Sequence, residues 1–224
     1  CQGWYWHCLA RETGKLGHLY SPAGKAGPWP WFPYACDNGC YSLWTPETNE
    51  FDESRWKLNG YDEWRRLMFW CEAAAQKPIW AIIPDRPGNW DITIEKWMKY
   101  SGESPFPLAL AVQDGATVEA VKQLTPKPEV ICVGGSTDWK WNTVEMWAAN
   151  FPRVHLLRCN TPAKLYYLEA LGIESCDGTG WLRGDRKKVQ GLEDWARQSP
   201  APIAPDITPF AFRAKENKKQ MEFA

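Results

Sequence analysis

The chain has 224 residues, 44% of them hydrophobic, and a formal net charge of −1. That length suits one domain with a sizeable core. The near-neutral balance argues against a nucleic-acid binder driven by bulk charge, leaving room only for a local basic patch, and no run of 18 apolar residues is present to cross a membrane.

The first segments, WYWHCLA at 4–10 and GHLYS at 17–21, read as one or two strands. From about residue 35 the chain alternates between short apolar runs and helical patterns. PYACDNG predicts a strand. The segment from Phe51 to Gln76 carries helical spacing through Trp64, Leu67, Met68 and Cys71. IWAIIPD is a strand and WDITIEKWMKY a helix; PLALAVQ is a strand and TVEAVKQL a helix, with Thr117 as a weak cap. EVICVGG is a strand, followed by NTVEMWAANF as a helix with Asn142 as N-cap. RVHLLRC leads to TPAKLYYLEALG, with Thr161 as N-cap, Pro162 at N1 and Gly172 at C′. IESCDG is the last strand and DRKKVQGLEDWARQ the last helix.

Repeated strand–helix units imply a parallel sheet with helices outside. A (β/α) barrel, irregular or reduced, is favoured over a doubly wound sheet, because no Gly-rich phosphate loop follows the first strand. Residues 1–200 are read as one barrel domain, and 201–224 as a Pro-rich, then basic tail.

The 8 cysteines form no CxxC pair, and His7, His18 and His155 fall at no zinc spacing. No metal site and no cofactor fingerprint is expected, and a reduced, cytoplasmic compartment fits. No secretory signal is evident at Cys1.

Each strand delivers something polar or small at its carboxyl end: Asp37, Asp85, Gln113, Gly134 with Gly135, Arg158 with Asn160, and Asp177. Ligands of both sheet architectures bind at that edge. No Ser–His pair is apparent. What is left is chemistry run by carboxylates: covalent attack by one and proton transfer by another, chiefly at a sugar C1.

Five motifs then carry a resemblance: DNGCYS at 37–42, IIPDRP at 82–87, LAVQDGATVEAVK at 110–122, ICVGGSTDWK at 131–140, and NTPAKLYYLEALGIESCDGTGW at 160–181. In this order the chain resembles the tRNA-guanine transglycosylase superfamily, (β/α) barrels that exchange guanine for a 7-deazaguanine through a glycosyl–aspartate. The resemblance implies Asp177 as nucleophile and Asp37 as general acid/base. It implies Asp85, Gln113, Gly134 and Gly135 as contacts to the base. The chain departs from the pattern at Cys40, where a second Gly is usual. It also lacks the C-x-C-x-x-C…H zinc module of the tRNA-acting members. It therefore looks more like the short zinc-free relatives that insert 7-deazaguanine, such as 7-cyano-7-deazaguanine, into DNA, with tRNA the lesser candidate. A helper protein that opens the duplex is left open.

Alternatives stand beside these roles. Asp177 could cap the following helix, DNG is also a good turn, and Gln113 could satisfy buried backbone. Arg183, Arg186, Lys187 and Lys188 form either a phosphate site or a solvated helix start. Most of the 16 Trp are expected in the core, while Trp181 and the WPW at 29–31 are candidates to stack on a flipped base. Gly178 and Gly180 are expected to clear room for a sugar at Asp177.

Overall fold

The computed structural model describes residues 4–23, 29, 32–182 and 185–198. The tail at 201–224 lies outside the described residues, as do Arg183 and Trp31. The described strands are β1 (His18–Tyr20), β2 (Tyr34–Cys36), β3 (Trp44–Thr45), β4 (Glu50–Phe51), β5 (Ala81–Ile82), β6 (Leu108–Val112), β7 (Val130–Val133), β8 (Val154–Leu156) and β9 (Ser175–Cys176). The helices are α1 (Trp4–Thr13), α2 (Glu53–Arg55), α3 (Tyr61–Ala73), α4 (Trp90–Tyr100), α5 (Val118–Lys122), α6 (Thr137–Asn150), α7 (Pro162–Ala170) and α8 (Arg186–Arg197). None of these helices is long and apolar enough to cross a membrane.

Seven strands make one sheet in the order β1-β2-β5-β6-β7-β8-β9, and every neighbouring pair is parallel. Each strand thus lies beside the one before it in the chain, without the order reversal of a doubly wound sheet. The sheet curls into a half-barrel. β3 and β4 form a separate antiparallel ribbon in the connection between β2 and β5.

Alternation along the strands sorts the core into two sides. Ala35, Trp80, Ile82, Ala109, Ala111, Val130 and Cys132 pack together on the concave side, with Leu19 and Leu157 against them. The small residues there leave room that Trp80 fills. Tyr34, Cys36, Ile83, Leu110, Val112, Ile131, Val133 and Leu156 belong to the larger core, shared with the helices. In α3 the buried residues are Trp64, Leu67, Met68 and Cys71, the spacing read from the sequence. Burial of each such side chain contributes roughly 1.5–3 kcal/mol.

Among the described residues the strand ring is open: β1 pairs only with β2 and β9 only with β8. The helices bridge the opening instead. α1 packs against α8; Arg197 pairs with Glu12. Lys15 Nζ donates to Glu169 Oε1 of α7 at 3.2 Å and to the Gln198 carbonyl at 2.8 Å.

Two expectations are corrected. WYWHCLA is helix α1, not a strand; it buries His7 and Ala10, three residues apart on one helical face, with Leu9. Asn142 is not an N-cap but lies inside α6, which starts five residues earlier at Thr137. Ser136 caps it through Oγ to the Trp139 N–H. Thr161 does stand at the N-cap of α7, with Pro162 in the first turn and Gly172 following the C-cap residue Leu171, although the Thr161 side chain makes no cap bond.

Candidate active site at the carboxyl edge of the half-barrel

A cavity of about 650 Å³ occupies the opening between β1 and β9. It runs from Gly14, Ile79 and Glu174, at the amino ends of the strands, to Ser21, Asp37 and Asp177 at their carboxyl ends. Trp80 and His155 line its middle, and Trp181 lines its wall beside Asp177. Its volume falls in the range of small-molecule sites.

Asp37 follows β2 and Asp177 follows β9. Asp37 is anchored through its backbone N–H, which donates to the Tyr20 carbonyl of β1 at 2.6 Å. Its Oδ1 accepts from the Asn38 N–H at 2.8 Å. Burial, then the nearby Asp177 carboxylate, raise the Asp37 carboxyl to about 7. A carboxyl raised that far can hold and give up a proton near neutral pH.

Asp177 is held from three sides. Its backbone N–H donates to the Leu156 carbonyl at 3.2 Å, and its carbonyl accepts from the Cys159 N–H at 2.5 Å. Its Oδ1 accepts from the Arg158 N–H at 3.0 Å and lies 3.2 Å from His155 Nε2. The helix-cap reading does not fit, since Asp185 is the residue that caps α8.

Asp85 and Gln113 take a different place. Asp85 is buried, and both its oxygens are occupied: Oδ1 by Asn38 Nδ2 at 3.0 Å, Oδ2 by Gln113 Nε2 at 2.6 Å. Both amides are oriented by backbone, because Asn38 Oδ1 accepts from the Cys40 N–H and Gln113 Oε1 from the N–H groups of Gly135 and Gly88. Burial raises Asp85 to about 6. The Gly135 carbonyl accepts from the Arg158 guanidinium, which also reaches the Tyr41 hydroxyl at 3.2 Å. Asp85, Gln113 and Gly135 therefore form a satisfied network beside Asp37, Gly134 donates its N–H to the Val112 carbonyl, and none of the four lines the cavity.

The glycines answer to packing. A Cβ at Gly178 would strike the Cys159 carbonyl, and one at Gly180 would lie 2.7 Å from Asn160 Oδ1. They let the β9 loop close on the β8 loop, where Gly180 N–H donates to Asn160 Oδ1 at 2.7 Å. Gly178 also lines the cavity beside Asp177. Gly135 has φ +71°, and a Cβ there would strike Asp114.

Trp181 is buried in the short turn after β9 and forms cavity wall, not an exposed stacking platform. Trp29 is part-exposed and edge-on to His7 at 5.2 Å. Arg186 and Lys187 are exposed at the start of α8. Lys188 is half-buried and pairs with Asp185 at 3.9 Å.

The expectation of no Ser–His pair is also corrected. His155 lies opposite Ser175 in the β8–β9 register, with Nδ1 2.8 Å from Ser175 Oγ. Sequence offered a signal only in the inward alternation of VHL and SCD, whose register it does not give. No cluster of three or more His, Cys, Asp or Glu side chains that could hold a metal occurs among the described residues. No protein-family model matches the chain, and no curated protein is significantly similar to it.

Proposed function

We propose that the protein is a base-exchanging transglycosylase on a reduced (β/α)8 frame. It displaces guanine from a polynucleotide through a covalent sugar–Asp177 ester and installs a 7-deazaguanine. The observation that carries this reading is the pairing of two unlike acids on one cavity. Asp37 has a proton affinity lifted to about 7, and Asp177 has Oδ1 tied by two donors. A proton-holding acid beside a fixed carboxylate is the arrangement that double displacement at a sugar carbon needs. The five motifs, in order along the chain, support guanine chemistry over other glycosyl transfers.

In this reading Asp37 gives its proton to the departing guanine and later takes one from the incoming base. The Asp85–Gln113 network stiffens the wall beside Asp37. Base contact through Gly135 needs the Arg158 guanidinium to leave the Gly135 carbonyl. DNA is the first polymer to test, by likeness to zinc-free relatives.

Incubation with labelled guanine and either DNA or tRNA tests the proposal. Uptake into DNA with release of unlabelled guanine is the expected result. Uptake into tRNA alone moves the substrate. Base release without uptake makes the protein an N-glycosidic hydrolase, and neither outcome leaves a non-catalytic nucleobase-binding protein. Denaturation during turnover, followed by digestion, should yield a peptide spanning 172–181 with a nucleotide on Asp177.

A further inference from the structure

His155 sits inside the half-barrel, 3% exposed, with its ring edge-on to Trp80 at a centroid distance of 4.8 Å. The β8–β9 register sets the ring between two partners, with Nδ1 toward Ser175 Oγ at 2.8 Å and Nε2 toward Asp177 Oδ1 at 3.2 Å. An ionised carboxylate only accepts hydrogen bonds, so Nε2 carries the proton; a neutral ring then accepts at Nδ1 from the Ser175 hydroxyl. The chain Ser175–His155–Asp177 is thus directed toward the acid. It is not a hydrolase triad in the usual sense, where the serine meets Nε2 and the acid meets Nδ1. Asp177 Oδ1 also receives the Arg158 N–H at 3.0 Å, while no described residue donates to Oδ2.

We propose that His155, set by Ser175, is a positioning residue that holds Oδ1 of Asp177 and so assigns Oδ2 as the atom that attacks the sugar. This rests on the reading of Asp177 as nucleophile. In the first half-reaction an Oδ2 electron pair forms the bond to C1′. The C1′–N bond breaks, its pair leaves with guanine, and guanine takes the proton held by Asp37. Oδ1 becomes the carbonyl oxygen of the ester. In the second half the incoming deazaguanine gives its ring N–H proton to Asp37 and bonds to C1′ through that nitrogen. The C1′–Oδ2 pair returns to Asp177.

A donor on Oδ1 favours the charged carboxylate over the ester carbonyl. His155 therefore assists departure of Asp177 from the sugar more than its attack. Without that donor, the ester outlives its formation and accumulates.

The test compares His155→Phe, His155→Gln and Ser175→Ala in single-turnover and steady-state exchange, with the trapped adduct quantified. His155→Phe should slow exchange by roughly ten- to hundredfold, the effect of a lost hydrogen bond to a charged group. A larger fraction of that enzyme should be trapped as ester than of wild type. His155→Gln, which retains an N–H donor, should recover part of the rate and lower the trapped fraction. Ser175→Ala should shift both readouts in the direction of His155→Phe, and it stands in if that variant does not fold. A loss of rate with a smaller trapped fraction marks a merely structural role and overturns the proposal, as does His155→Gln behaving like His155→Phe. Nitrogen-15 spectra of the free wild-type protein give an independent readout. They should show the His155 proton on Nε2, and a proton on Nδ1 alone overturns the arrangement whatever the reaction. Absence of exchange and adduct in wild type, with Nε2 protonated, overturns the transglycosylase reading and spares the hydrogen-bond chain.

Discussion

Arg158 donates its backbone N–H to Asp177 Oδ1 at 3.0 Å, and it does so from a left-handed conformation with φ +62°. The turn after β8 is what aims that N–H. It is buttressed by Lys140, a buried lysine whose Nζ donates to the Leu157 carbonyl at 2.5 Å and to the Arg158 carbonyl at 3.4 Å. Burial, then the nearby Arg158 charge, lower Lys140 to about 8, against the carbonyl acceptors that favour its ammonium form.

A non-glycine residue at that φ stores strain, and the first prediction uses it. Arg158→Gly keeps the N–H and relieves the backbone, at the loss of the guanidinium contacts to Tyr41 and Gly135. It should unfold in urea within about 1 kcal/mol of wild type. Arg158→Val keeps the N–H but puts a β-branched side chain at the same φ, and should be less stable by about 1–3 kcal/mol. Equal urea midpoints for the two variants would show that the backbone at 158 carries no strain.

Much of this frame was legible in the sequence. Strand–helix alternation with polar strand ends gave the parallel sheet and put Asp37 and Asp177 at one edge, where both line the cavity. What was not legible depends on register and on long-range packing. His155 and Ser175 are 20 residues apart, and only the β8–β9 pairing sets them face to face. Asp85 and Gln113 look like ligand-reading groups in sequence, yet each finds its partners inside the protein. The aromatic alternation of WYWHCLA matched a strand, but those residues close the ring against α8 as a helix.

The Asp85 network supports a second prediction. Both oxygens of Asp85 face amide NH₂ groups, and backbone donors hold those amides in place. Asp85→Asn forces an NH₂ against an NH₂, leaving a buried donor without an acceptor. That should cost about 1–3 kcal/mol, read as a lower denaturation midpoint at neutral pH. Gln113→Glu sets carboxylate against carboxylate at a 2.6 Å contact, so its loss should be larger at pH 8 than at pH 5.

Asp37 makes stability and rate depend on pH in predictable directions. Its carboxyl moves from 3.8 to about 7 on folding, so between those values the folded state binds more protons than the unfolded. Stability from this group is full below about pH 4 and is lost as pH rises through about 7. Asp37→Asn should therefore stabilise at pH 8 by roughly 1–2 kcal/mol, well under the full shift because the half-buried group is screened, and should change little at pH 4. In the proposed exchange, guanine departure would need protonated Asp37 and should slow above about pH 7. Capture of the incoming base would need the ionised form and should slow below it. Asp37→Asn should slow both halves by about 10²–10⁴ and remove the two limbs. A pH profile unchanged by the substitution would take the proton-transfer role from Asp37.

The basic start of α8 carries a fourth prediction. Asp185 caps the helix by accepting from the Lys187 and Lys188 N–H groups at 3.0 and 3.3 Å. It also pairs with the Lys188 side chain, so Lys188 is already partly neutralised. Arg186 and Lys187 are exposed at the start of α8, the helix whose Leu192 and Trp195 line the cavity. Single Ala substitutions at these two should each flatten the salt dependence of DNA binding by about one unit of slope, and Lys188→Ala by less. The quadruple variant that includes Arg183 should bind DNA least. An unchanged salt slope in that variant returns the cluster to a solvated helix start.

Asp177 separates a nucleophile from a structural acid. An asparagine in its place can still present a carbonyl oxygen to the His155 Nε2–H and the Arg158 N–H, now at 3.2 and 3.0 Å. The backbone bonds to Leu156 and Cys159 are untouched, so Asp177→Asn should fold with an unfolding midpoint close to wild type. What it lacks is the charge and an oxygen free to bond to C1′. Nucleobase binding, measured by calorimetry, should stay within a few-fold of wild type, while exchange falls by about 10³ or more. The substitution should also lower Asp37, because the nearby negative charge is one of the two largest causes raising it, burial being the first. The fall should be partial, and carboxyl resonances followed by NMR titration should show the Asp37 midpoint below about 7 but above its ordinary value. Exchange at the wild-type rate in Asp177→Asn removes the covalent mechanism. Lost exchange with an unmoved Asp37 midpoint would mean that the two acids do not share a field, and so do not act on one sugar.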